Sequence, residues 1–154
     1  MTYDSTQDTI QHIERVVQYL GIVIEELQAR GMRHDQSKLK PPEKEIFDAV
    51  TPKLAGLTYG SDEYKAALVE MGEALRHHYR HNRHHPEHFP GGVTDMSLID
   101  MLEMLCDWKA ASERHGNGDM AESLNINAKR FGIERQLGVI LANTAQDLGW
   151  IDHR

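Results

Sequence analysis

The sequence predicts an all-α protein. Three observations carry that expectation. Apolar residues recur at three- and four-residue spacing over long stretches, β-branched runs and alternating patterns are scarce, and glycine or proline separates one stretch from the next. The 154 residues are read as a single domain of about six helices, long enough to bury a core.

The first helix is expected from about Thr6 to Arg30, with Gly31 as a left-handed cap. Its apolar positions Ile10, Ile13, Val17, Leu20, Ile24 and Leu27 form a stripe suited to packing in a bundle. His12 lies at the edge of that stripe, where on its own it reads as a border histidine. A short turn, Met32 to Lys40, follows and is cut off by Pro41-Pro42; it carries the adjacent pair His34-Asp35. Neighbouring side chains on a helical turn diverge by about 100°, so both reach one ion only if it sits in a cleft beside the turn. A helix from Glu43 to Val50 starts behind Pro42, and Thr51-Pro52 with the glycines near 56 and 60 forms a connection.

The next helix is the most informative. Ser61 is its N-cap, and Tyr64, Leu68, Met71 and Leu75 make its apolar stripe, which extends onto His78, Asn82 and His85 before Pro86 stops it. Residues 77–88 hold six of the ten histidines. In helical projection His77 and His84 point away from the stripe and His81 lies on its border. Imidazoles at i and i+7 on an inward face suit metal ligation, whereas a solvated low-complexity tract is the bland alternative. Pro86 to Val93 reads as a loop with turn chemistry at Pro90-Gly91-Gly92.

Ser97 to Ala111 is apolar nearly all round, the mark of a buried helix, yet carries Asp100, Glu103 and Asp107 on one side. These carboxylates are either a narrow solvated face or paired and metal-bound groups, since burying bare charge is costly. Asp107 is the preferred candidate because its neighbours Cys106, Trp108, Ala110 and Ala111 suggest the more enclosed end. Two further helices span about 119–131 and 133–148, separated by Gly132.

Charge and composition narrow the functions. A net charge of −7 argues against a nucleic-acid backbone partner but not against a small phosphorylated one. Cys106 is the only cysteine, so no disulfide framework forms, and its apolar helix disfavours a nucleophilic thiolate. The first residues lack a basic region followed by an apolar one, and no window would span a bilayer; a cytoplasmic protein is expected, with a homo-oligomer left open.

In order, a histidine on the first helix, a His-Asp pair, histidines on a later helix and an aspartate on a buried helix resemble the HD-domain superfamily of metal-dependent phosphohydrolases. The local words His12-Ile13-Glu14-Arg15-Val16, His34-Asp35-Gln36-Ser37-Lys38-Leu39 and Cys106-Asp107-Trp108-Lys109 look like its motifs. More narrowly, His34-Asp35-x-Ser37-Lys38, His78 with Asn82, His84 and His85, and Asp107-Trp108 resemble an uncharacterised, often phage- or bacterium-encoded HD-like group known only as a domain of unknown function. The likeness covers about residues 8–112, with the C-terminal helices outside it.

The resemblance implies an HD-like helical bundle in which His12, His34, Asp35 and Asp107 are a primary metal quartet. His78 and His85 would serve a second ion, the pair among His78, His81, His84 and His85 remaining open. Lys38 would contact phosphate, Asp35 would share the metal, and Arg15 would help hold an anion. One or two divalent ions (Mn, Fe, Co, Ni, Zn or Mg) would support hydrolysis of a small phosphate ester or anhydride, a nucleotide first among substrates. The alternatives are a di-iron oxygenase of the HD type and a non-catalytic metal-binding bundle.

Overall fold

The computed structural model describes residues 3–54, 56–58, 61–114 and 118–152. Among these the chain is all-helical, without strands, and has seven α-helices joined by short 3-10 turns. It divides into two compact units, Met1–His34 and Asp35–Arg154. No helix is long and apolar enough to cross a membrane among the described residues.

The first unit is helix α1, Thr6–Arg33. Asp4 Oδ1 accepts the backbone N–H of Thr6 at 3.0 Å, which satisfies one of the open donors at the start. The expected cap at Gly31 is not used: the helix runs on to Arg33, and the left-handed residue is Asp35, at φ 56°. Gly31 has no need of positive φ because the turn is delayed by four residues, and aspartate is one of the few side chains that tolerate that region.

The second unit begins with a 3-10 turn, Gln36–Leu39, followed by α2, Glu43–Leu54. That helix passes through Pro52 rather than ending at Val50. A proline in the last turn removes one hydrogen bond and leaves little helix beyond it to disrupt. The single helix expected over 61–85 is two, α3 (Asp62–Glu70) and α4 (Gly72–His81). Ser61 caps α3 as expected, accepting from the Tyr64 N–H at 3.1 Å. At Met71 the backbone tightens to ψ −4°, and Gly72 restarts the helix; this break is why the helices number seven. Val50 of α2, Met71 at the break between α3 and α4, and Ala74 of α4 are buried, and α2 packs against α3 and α4.

α4 ends at His81, short of Pro86. Asn82 turns to extended backbone (φ −122°, ψ 109°) while its N–H and its Nδ2 both donate to the His78 carbonyl, at 3.0 and 2.8 Å. The segment expected as a loop after Pro86 holds two more 3-10 turns, Pro86–His88 and Gly92–Asp95. Helices α5 (Leu98–Ser112), α6 (Met120–Arg130) and α7 (Arg135–Asp147) follow close to the expected positions. Gly132, at φ 61°, makes the turn between the last two. Met104, Leu105 and Trp108 of α5 pack with Met120, Leu141 and Ala145 into the main apolar core. This core fixes α5, one wall of the site described next.

Candidate metal centre

The site starts from a constrained backbone. Asp35 sits in the left-handed region, where a non-glycine residue stores strain, and its carbonyl accepts the Lys38 N–H at 2.9 Å to close the 3-10 turn. The same turn folds Lys38 back, so that its Nζ meets Asp35 Oδ2 at 2.6 Å while lying over the Phe47 ring. Asp35 Oδ1 is left facing inward, 3.3 Å from His78 Nε2 and 3.6 Å from His84 Nε2.

The histidines come from α4 and the turn after it. His78 and His84 are 1% exposed. His78 Nε2 lies 2.9 Å from His85 Nε2, and the His84 and His85 rings are 4.1 Å apart between centroids. Asp35, His78, His84 and His85 each offer one ligand atom, and these atoms lie within 4.8 Å of one another. Three imidazole nitrogens and a carboxylate oxygen converging in a buried pocket fit a divalent transition metal: imidazole suits zinc, iron, copper and nickel, and the carboxylate extends the range toward manganese.

Electrostatics keep two of these donors, Asp35 and His85, in ligating form. Burial alone would raise the Asp35 carboxyl, but hydrogen bonding to His78 and the Lys38 charge hold it well below the usual carboxylate range. Burial lowers His85 to about 3, helped by the neighbouring His84 and His78 and opposed by Asp107 and Asp35. At neutral pH the group facing the cluster is therefore uncharged imidazole, the form that binds metal.

Other carboxylates surround the ring nitrogens. Glu43, the first residue of α2, is fully buried. Its Oε2 lies 2.9 Å from His78 Nδ1, its Oε1 lies 2.6 Å from His77 Nδ1, and it accepts from Ser37 Oγ at 3.0 Å. Burial opposes its ionisation, but the hydrogen bonds from His77, Ser37 and His78 prevail and lower its pKa. On α5, Glu103 Oε1 lies 3.2 Å from His84 Nδ1.

The three acidic residues of α5 thus have three different surroundings. Asp100, fully buried, accepts from Ser97 N and Oγ in a capping box and from Arg83 Nε and Nη2, both at 3.1 Å. Glu103 meets His84. Asp107 offers an oxygen within 4.8 Å of a His84 nitrogen and contributes to the field at His85. Cys106 between them has its thiol pushed up by burial and by Glu103 and Asp107, in keeping with an inert side chain.

Of the residues singled out from sequence, Asp35, Lys38, His78 and His85 come together, and Asp107 lies near His84. His84 was projected away from the site and is in it. The projection failed because α4 stops at His81: beyond that point the 100° rule has no helix to act on. Pro86 carried the missed signal, since a residue before proline avoids helical backbone, and His85 is indeed extended at φ −99° and ψ 127°. His81, stacked on His77 and bonded to its carbonyl at 2.8 Å, faces solvent. His12 and Arg15 belong to α1, where Arg15 donates to Gln18 Oε1 at 3.1 Å, and His34 closes that helix through its N–H to the Gly31 carbonyl. Nothing in the sequence distinguished Glu43 from an ordinary acidic first-turn residue.

A separate groove of about 800 Å³ runs along α5, α6 and α7, lined in part by Trp108, Leu124, Ile133 and Trp150, and includes none of the four cluster residues. Residues 1–147 match the model of a family of unknown function (DUF5662). No curated protein and no solved structure matches the chain.

Proposed function

We propose, for a chain that belongs to the DUF5662 family and takes no activity from that family's description, that Asp35, His78, His84 and His85 hold a divalent transition metal serving hydrolysis of a small phosphate ester or anhydride. The observation that carries this reading is the convergence of four donors, two of them buried and two half-buried, from two separated segments within 4.8 Å. The resemblance of the His34-Asp35-x-Ser37-Lys38 word to the HD-domain superfamily supplies the reaction class, and by analogy alone a nucleotide as the first substrate to test.

A divalent ion in such a site supplies Lewis acidity toward water and phosphoryl oxygen. The remaining work belongs to the chain. Asp35 and the three imidazoles set the ion's position, and the low pKa of His85 keeps that ring neutral at physiological pH. Lys38 Nζ, held on Asp35 Oδ2 and 30% exposed, is the cation we assign to equatorial phosphate oxygens. Asp107 is assigned the acceptance of a proton from the attacking water. The imidazole-rich donor set also favours iron, which makes an oxygenase the second reading.

The test is phosphate release from a nucleotide panel by metal-loaded protein beside Asp35→Asn and Lys38→Ala, with oxygen uptake measured on the iron-loaded form. Hydrolysis is expected to fall at least 100-fold in Asp35→Asn. Equal rates in wild type and both variants would sink the hydrolase reading, and oxygen consumption without phosphate release would replace it with the second.

A further inference from the structure

We propose that Glu43 and Glu103 are positioning residues of the metal centre, each taking the Nδ1–H of one buried histidine so that His78 and His84 both present Nε2 to the ion. The inference rests on the metal-centre reading above and adds to it the groups that orient the ligands.

The geometry is the same twice over. His78 has Nδ1 2.9 Å from Glu43 Oε2 and Nε2 3.3 Å from Asp35 Oδ1. His84 has Nδ1 3.2 Å from Glu103 Oε1 and Nε2 3.6 Å from Asp35 Oδ1. The two glutamates come from different helices, one opening α2 and one midway along α5, yet each reaches the outer nitrogen of a different imidazole. A carboxylate on Nδ1 fixes a proton there, so that Nε2 is the nitrogen left to accept a metal. Such outer carboxylates orient the ring and raise its basicity toward a metal.

Burial sharpens the argument. Glu43 is fully buried, a costly place for a carboxylate unless its hydrogen bonds are needed. Its surroundings are arranged around it: Ser37 Oγ donates to Oε2, and Asn82 Nδ2 donates to the Ser37 hydroxyl at 2.8 Å. Because Asn82 also closes α4 on the His78 carbonyl, the same network sets both the angle of the His78 ring and the point where the chain leaves the helix toward His84.

The experiment uses the full chain stripped of metal and reloaded with Co(II), whose spectrum reports ligation, with affinity measured by chelator competition. Wild type is compared with Glu43→Ala, Glu43→Gln, Glu103→Ala and Glu103→Gln. Each alanine variant is expected to bind about 10- to 100-fold more weakly. Each glutamine variant, whose amide oxygen still accepts the Nδ1–H, is expected to recover most of that loss, a rescue that a space-filling role would not require of the oxygen. Long-range proton–nitrogen NMR on the metal-free wild type is expected to show a proton on Nδ1 of both His78 and His84. Unchanged affinity in the alanine variants, glutamine variants as weak as alanine, or an Nδ1 that carries no proton would overturn the proposal. If wild type takes up no Co(II), the metal-centre reading falls, and protonation of Nδ1 alone still decides whether the glutamates orient the rings.

Discussion

Asp35 combines two demands that few residues meet together. Its carboxylate faces the cluster, and its backbone stands at φ 56°. Asn tolerates the same conformation, so Asp35→Asn is expected to keep the melting temperature of the metal-free protein within a few degrees while reducing metal content per chain to a small fraction. Asp35→Val should add a loss of about 1–2 kcal/mol from left-handed backbone, read by denaturant unfolding. His85 makes a second prediction. Its pKa falls from 6.5 unfolded to about 3 folded, so between those values the unfolded chain binds a proton that the folded one does not. Its contribution is fully present above pH 6.5 and is lost as pH falls toward 3. The groups facing it are His78, His84, Asp35 and Asp107. Metal-free protein is expected to lose about 2 kcal/mol between pH 6.5 and 5 from this group, and the loss should shrink in His85→Gln. Asp35 acts in the same direction at lower pH, since its carboxylate is held charged by His78 and Lys38.

At the scale of elements, the turn after α4 is what makes a site out of a histidine-rich stretch. Arg83 anchors that turn to the buried Asp100 of α5, and His84 meets Glu103 one helical turn further along. Removing the guanidinium takes two donors away from the buried Asp100 carboxylate. Arg83→Met is therefore expected to cost about 1–3 kcal/mol and to weaken metal binding, whereas Ser97→Ala should cost about 1 kcal/mol through the cap with little effect on metal. Paired denaturation curves and chelator competitions separate the two outcomes. Equal loss of metal affinity in both variants would mean that α5 as a whole, and not the Arg83 anchor, positions His84.

At the scale of the whole molecule, stability and site are linked through α5. Leu105 is 1% exposed in the core, and Leu105→Ala is expected to cost about 2–5 kcal/mol. Saturating metal should stabilise the wild type by about 2.7 kcal/mol at 100 times the dissociation constant, a rise in melting temperature that a chelator reverses and Asp35→Asn lacks. The formal charge of −7 favours cation uptake generally, so the absence of the rise in Asp35→Asn is what identifies a specific site.

What the sequence by itself determined is the helical class and most helix positions, because apolar spacing, Ser61 and Ser97 caps and Gly132 are local signals that act within one or two turns. It also carried Asp35, His78 and His85 as candidates, because those residue types and their order are visible without a fold. Only the tertiary structure decided that α4 stops at His81, that His84 faces inward, and that Asp100, Glu103 and Asp107 on one helix have three separate surroundings. It alone brought Glu43 to His78, across 35 residues of chain. A hydrogen bond between distant segments depends on how helices pack, and helix packing is set by summed burial over many residues, which no single word of sequence encodes.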